Sequence, residues 1–393
     1  MDVTGIQKQL RKLKIDGWLL YDFHGINPIA QRITGLEDRM ITRRWFCYVP
    51  QEGDPRWIIS QIEQGQFEGI EGKVETYAGW SALVDKLRET LGMAPRVAME
   101  YAPHGAIPYV SRVDAGTIEM VRSLNVAVCS SADLVQWFEA RWSAASLALH
   151  LEAAKHLQTA LERAFDVVTQ HLTAQRSITE YDVQQEIVRY FEVNGIVTDS
   201  APIVASTKNT GDPHYQPGPE RSSLIELEDL LLIDMWGKMD DPEAVYADIT
   251  WMAYAGRSVP DDYARVFSVL RRARDMTIEF VKSAVARGEV IRGYQVDDVA
   301  RSIITEQGFG DKFTHRTGHS LGVDVHGAGV NIDNLETHDE RLIIPDIAFT
   351  VEPGIYMQPF GMRTEIDVYV GERKAEVTTV PVQKFIVPLI KDI

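Results

Sequence analysis

Four acidic residues stand inside otherwise apolar, strand-like segments of this chain, and that placement constrains its fold more than any other feature. Asp234 follows four consecutive apolar residues in LLLIDMWGK, and Asp248 lies in VYADITWMAYAG. Glu352 ends the apolar run of IAFTVEPGIYM ahead of a Pro-Gly turn, and Glu365 falls within GMRTEIDVYV, which reads as the next strand. A carboxylate in a buried strand is costly unless it is paired or binds a cation. The turn-forming MDDPEA between the first two acids predicts a hairpin that brings Asp234 and Asp248 side by side. Four inward carboxylates would repel one another and take up protons, whereas two divalent cations would offset their four charges.

Histidines gather in one stretch. Of ten in the chain, three fall in HRTGHSLGVDVHGAG: His315, His319 and His326, at intervals of four and seven. Gly318 and Gly322 between them let backbone approach closely. One imidazole would complete a coordination sphere, leaving the others to donate hydrogen bonds to a substrate or an oxyanion. A carboxylate-rich site with one imidazole suits manganese, cobalt or zinc.

The 393 residues exceed the usual single-domain range, so two domains are expected. Short apolar runs alternate with helical patterns up to about residue 128: DGWLLYDF, RWFCYVP, RWIISQ, RVAMEYA and NVAVCSS read as strands, and SALVDKLRETLG as a helix. That is an α/β pattern. From Ser131 to Leu172 the periodicity is continuously helical, and three more amphipathic helices follow: TEYDVQQEIVRYFEVNG, PDDYARVFSVLRRARDMTIEFVKSAV and QVDDVARSIITEQGFG. With strand-rich segments between, the second part reads as α+β, and two helix–strand blocks near 150–255 and 263–370 hint at an internal duplication. The domains are expected at 1–140 and 141–393. A net charge of −17 disfavours attraction to nucleic acid or anionic lipid. Two cysteines without metal-type spacing, no apolar leader and no membrane-length run lead to an expected cytoplasmic location.

These acids and histidines make the chain resemble the pita-bread metallopeptidases, in the branch that contains prolidase (Xaa-Pro dipeptidase), aminopeptidase P and creatinase. The family's ligand order of Asp, Asp, His, Glu, Glu is matched by Asp234, Asp248, His319, Glu352 and Glu365, in the contexts DIT, GHSLG, VEPGIY and RTE for the last four. ASTKNTGDPHY resembles the segment that supplies a substrate-facing histidine, here His214; His326 matches a second, and Arg363 the arginine two positions before the last ligand. The first half resembles the N-terminal domain of the same branch.

The resemblance implies an α/β N-terminal domain joined to a pita-bread catalytic domain of the creatinase/aminopeptidase fold. It implies two divalent ions, manganese first and cobalt or zinc as alternatives, and hydrolysis of the Xaa-Pro bond in dipeptides. Asp248 and Glu365 would bridge the ions, Asp234 would chelate one and His319 complete the other. Glu352 would also carry a proton to the leaving nitrogen, with His214 and His326 steadying the carbonyl. Short proline-containing peptides are the implied partners, in a homodimer. The competing readings are an aminopeptidase P acting on longer peptides, a creatinase-like hydrolase without metal, and a binding module of the same fold. There are departures: Asp234 and Asp248 lie fourteen positions apart, longer than the family's habit, Trp251 follows DIT where a polar residue is common, and Gly327 follows His326 where glutamate is frequent.

Overall fold

The run GWLLYD has no polar face, and a strand built from it must be covered on both sides. It forms the strand Gly17–Asp22, buried along its whole length near the middle of a six-stranded sheet. Trp18 and Leu20 pack toward the helices Val3–Leu13, Pro28–Thr34 and Ala132–Glu139, while Leu19 and Tyr21 pack toward Trp80–Leu91 and Ala115–Arg122. The sheet order is Lys73–Tyr77, Arg56–Ser60, Trp45–Pro50, Gly17–Asp22, Arg96–Met99, Ala127–Ser130, with antiparallel pairs in the middle and parallel pairs outside. All five strands read from sequence form. The sixth, KVETY, holds too few apolar residues to be read and makes a largely uncovered edge.

This sheet belongs to the first of two compact units, Met1–Glu139 and Ala140–Ile393, in a computed structural model that describes residues 1–92 and 96–390. The helical periodicity from Ser131 to Leu172 is broken into two helices, Ala132–Glu139 and Ala144–Thr173. Ser143 starts the second by accepting the Ser146 N–H at 3.0 Å, and Trp142 turns its ring onto His150, 4.8 Å between centroids. The second unit then repeats a motif: helices of 30 and 15 residues precede one sheet, and helices of 27 and 14 residues precede another.

The first of these sheets is built on the antiparallel hairpin Leu230–Met239 and Ala247–Tyr254. Period-two alternation sends Leu231, Ile233, Met235, Ala247, Ile249 and Ala253 against Ala144–Thr173 and Glu180–Asn194. Asp234, Asp248 and Thr250 occupy the other face. In the register Asp234 faces Thr250 and Asp248 faces Trp236, so the two acids are diagonal neighbours rather than directly opposed. The fourteen-residue gap is absorbed by long strands and a connection over 240–246. The second sheet runs Ser320–Leu321, Ile347–Val351, Ile366–Val370, Ala375–Val377. Glu365 was expected inside a strand. It instead occupies the joint between Gly361–Arg363 and Ile366–Val370, where it forms an isolated antiparallel bridge to Thr250 and its N–H reaches the Thr250 carbonyl at 3.2 Å. That bridge ties the two sheets together at the acids.

The first unit has buried acids of its own, and Glu100 is the one at its core. Glu100 is completely buried and accepts from Trp18 Nε1 at 2.6 Å, Asn27 Nδ2 at 2.8 Å and Ser131 Oγ at 3.0 Å. Burial pushes its pKa up to about 7, against the pull of those donors. Glu100→Ala would strip three buried donors of this acceptor and should cost about 3 kcal/mol of stability in urea unfolding followed by tryptophan fluorescence. A cost under about 1 kcal/mol would contradict this account of the unit's core.

Candidate metal centre

Five side chains from separate elements converge below the hairpin. Asp234 and Asp248 come from its two strands, His319 from the residue before Ser320–Leu321, Glu352 from just beyond Ile347–Val351, and Glu365 from the bridged joint. Asp248, His319 and Glu365 each offer a ligand atom within 4.8 Å of the other two. His319 Nε2 lies 3.5 Å from both Asp248 Oδ2 and Glu352 Oε1. Arg363 donates from Nη2 to Asp234 and stands 4.0 Å from Glu352 Oε2 through Nε. Gly318 permits this convergence: a Cβ there would sit 1.9 Å from the Thr350 carbonyl oxygen, so any side chain would push the His319 backbone away.

The electrostatics ask for a cation. Burial drives the Asp248 carboxyl well above its usual range, and Glu365, Asp234, Asp367 and Glu352 reinforce the shift. Glu365 is raised in the same way, first by burial and then by Glu352 and Asp234. Burial raises Glu352 to about 7, with Arg363 and Arg316 opposing. Asp234 is also raised by burial despite Arg363. Asp234 Oδ1 and Asp248 Oδ1 are buried without a hydrogen-bond partner. His319 points to the same need. Its Nδ1 faces the Ser320 carbonyl at 3.2 Å, which assigns the proton to Nδ1 and aims the Nε2 lone pair at two carboxylates. Burial holds its pKa well below normal, so protonation does not resolve that clash. Unpartnered oxygens and an opposed lone pair fit hard or borderline divalent ions, and the donor set matches them.

The remaining predicted residues are distributed around this group. His326 lies at its exposed rim, edge-on to His319 with 4.4 Å between ring centroids. His214 is exposed on the loop after Thr207–Asn209, and the neighbouring Pro213 carbonyl is 3.5 Å from Arg363 Nη1. His315 does not take the substrate-donor role read from its spacing. Its Nδ1 meets the Arg316 carbonyl at 2.7 Å and its Nε2 meets the Tyr356 hydroxyl at 3.0 Å, so both nitrogens are engaged within the protein. Trp251 does not border the acids either, since alternation turns it to the helix-covered face of the hairpin. The tryptophan on the acid face is Trp236, whose Nε1 donates to Asp199 at 2.7 Å. Gly327 has a local reason. Its N–H bonds the Ser320 carbonyl at 2.7 Å, and a Cβ would meet backbone of Leu321 at 2.9 Å.

Several supporting residues escaped the sequence reading. Thr250 Oγ1 donates to Glu365 Oε2 at 2.6 Å and accepts from Arg363 Nε at 3.0 Å. Thr350 Oγ1 donates to Glu352 Oε1 at 3.1 Å and accepts the His319 N–H at 3.0 Å. Asp367, fully buried, accepts the Asp248 N–H at 2.9 Å. Thr250 and Thr350 each stand two positions from one of the predicted acids, and Asp367 stands two positions after Glu365, the spacing that can share a strand face; that was the available signal.

Carboxyls raised toward neutrality must lose their protons to bind a cation, so metal uptake should release protons and strengthen with pH. Calorimetric Mn2+ titration in buffers of different ionisation enthalpy should show proton release, and affinity should rise from about pH 6 to about pH 8. Proton-neutral, pH-independent binding would contradict the electrostatic picture.

Comparison with known proteins gives a consistent answer. Residues 148–372 match the model of metallopeptidase family M24. The chain is 29% identical over 241 residues to the probable dipeptidase PepE of Mycobacterium tuberculosis (strain ATCC 25618 / H37Rv), covering 61% of this chain and 60% of that protein. It is 30% identical over 208 residues to the Xaa-Pro dipeptidase of Lactobacillus helveticus, covering 52% and 50%. The matched segments thus span between half and three-fifths of these relatives' lengths. The crystal structure of the prolidase from Pyrococcus horikoshii OT3 superposes with a TM-score of 0.60 at 21% identity, over 98% of this chain and 99% of that one. That likeness establishes a shared pita-bread fold. With the family model matching more than half of its length, the chain belongs to metallopeptidase family M24.

Proposed function

We propose that the chain is a metal-dependent peptidase that hydrolyses the Xaa-Pro bond of dipeptides. The observation that carries this reading is the buried convergence of four carboxylates and a neutral imidazole, with unpartnered oxygens on Asp234 and Asp248. The substrate class is supported by the relative named Xaa-Pro dipeptidase and by the shared fold of a prolidase.

Asp234, Asp248, His319, Glu352 and Glu365 would hold two divalent ions, manganese in the first place and cobalt or zinc as substitutes. Bound there, such ions activate water and polarise a carbonyl. The chain's own groups do the rest. Glu352, whose Oε1 accepts the Thr350 hydroxyl, takes the proton that the attacking water gives up as its oxygen bonds the carbonyl carbon, and delivers it to the leaving nitrogen as the C–N bond breaks. A proline nitrogen is a tertiary amide without a proton of its own, so that delivery decides whether the bond can break. His214 and His326, exposed on separate loops, donate to the carbonyl oxygen as its charge grows. Arg363 holds Asp234 in place and balances part of the acid cluster. We assign the protein to the cytoplasm as a homodimer acting on short proline-containing peptides. No helix among the described residues is long and apolar enough to cross a membrane, and the −17 net charge argues against nucleic acid as a partner.

The Mn2+-loaded protein should cleave Ala-Pro faster than Ala-Pro-Ala, with Glu352→Gln lowering kcat by about 10²- to 10⁴-fold. Turnover of the tripeptide alone would replace this reading with an aminopeptidase. Turnover of neither, with metal bound, would remove the Xaa-Pro assignment.

A further inference from the structure

The carboxylate with the fullest set of partners outside the acid cluster is Glu180, and the mechanism above does not use it. It occupies the first turn of the helix Glu180–Asn194 and is completely buried. Its Oε1 accepts from Ser206 N at 2.6 Å, Ser206 Oγ at 2.8 Å and Asn209 Nδ2 at 2.8 Å. Its Oε2 accepts from Tyr215 Oη at 2.6 Å, Ser223 N at 2.8 Å and Asn209 Nδ2 at 3.1 Å. Helix capping does not require any of this, because Thr179 and Asp182 already form a reciprocal capping box.

All of these donors come from one segment, 206–223, and that segment carries His214. Tyr215, bonded to Glu180 through its hydroxyl, is the next residue along the chain. The opposite side of the loop meets the strand that carries Arg363: Thr210 Oγ1 accepts the Gly361 N–H at 2.9 Å, and the Pro213 carbonyl lies 3.5 Å from Arg363 Nη1. The loop is therefore clamped between Glu180 and Gly361–Arg363, the short strand that presents Arg363 to Asp234. His214 itself is exposed, and its own backbone N–H is held only by Asp212, at 3.1 Å, so its placement depends on that clamp.

We propose that Glu180 is a positioning residue that fixes the 206–223 loop and thereby sets His214 at the rim of the metal centre. The functional half of this inference rests on the reading of His214 as substrate-facing. Glu180 touches no substrate. It acts by removing the freedom of a loop whose histidine must meet a carbonyl within a fraction of an ångström. Ionised carboxylates accept and do not donate, and five donors converge here. Glu180→Gln would turn its amide NH2 toward the backbone N–H of either Ser206 or Ser223, neither of which can accept, and so break the clamp while keeping the side chain's shape.

The test combines a substrate-free readout with a double-mutant cycle on the Mn2+-loaded protein. Glu180→Gln should speed amide hydrogen exchange over 207–217 at least about tenfold while leaving the helix Gly293–Glu306 unchanged. Tyr215→Phe, which removes one donor and keeps the fold, should do the same to a smaller extent. Each should lower kcat/KM on Ala-Pro by roughly tenfold at unchanged metal content, and neither should lower it further in a His214→Ala background. Unchanged exchange over 207–217 overturns the proposal outright. A loss that persists in full without His214, or that follows loss of metal, overturns the positioning role and leaves a purely structural one. If His214→Ala itself keeps wild-type turnover, the substrate-facing reading of His214 falls, and the functional half of the proposal falls with it. That outcome is distinct from an active His214 that ignores Glu180.

Discussion

Buried negative charge that the protein alone cannot neutralise is the constraint on which the second unit is organised. Asp234, Asp248, Glu352 and Glu365 arrive from both sheets, and Arg363 is the cation seen to meet two of them, Asp234 directly and Glu352 at the limit of an ion pair. In a low-dielectric interior such a set takes up protons unless further positive charge enters. The elements that deliver the acids serve other ends as well. The hairpin's opposite face is the floor of the helix-packed core, so moving either aspartate by one residue would turn an acid onto the long helix Ala144–Thr173.

Hydroxyl groups orient the two glutamates of the cluster. Thr250 and Thr350 play parallel parts in the two sheets: each donates to a glutamate of the cluster and accepts from the group beside it, Arg363 in one case and the His319 backbone in the other. Behind Asp248, the carboxylate of Asp367 receives that residue's backbone N–H, and His150 Nε2 lies 3.8 Å from Asp367 Oδ2. Supports of this kind govern affinity and geometry in metal sites almost as much as the ligands do. The matching roles, in sheets that each follow a long and a short helix, are what a repeated architecture would produce.

Much of the site was legible because burial and charge conflict visibly in a sequence. An aspartate after LLLI or a glutamate after IAFTV announces itself, and the turn residues between Asp234 and Asp248 gave the hairpin. What stayed illegible depends on facing direction and on local stops. Trp251 and Trp236 look equally close to the acids in the sequence, and only the register shows which one shares their face. His315 looked like its neighbours His319 and His326 until Tyr356 and the Arg316 carbonyl were found on its two nitrogens. The break at 140–143 was hidden because periodicity continues through it, whereas Ser143 starts a new helix by capping it and Trp142 packs its ring on that helix at His150. Glu365 read as mid-strand because apolar alternation does not report a joint between two short strands.

Positive charge from outside the chain would complete this cluster. An anomalous difference map from crystals grown with Mn2+ tests it most directly. The account predicts two peaks among the carboxylates of Asp234, Asp248, Glu352 and Glu365, one of them also beside His319 Nε2. A map without peaks there at saturating Mn2+, with Arg363 still bonded to Asp234, would contradict it.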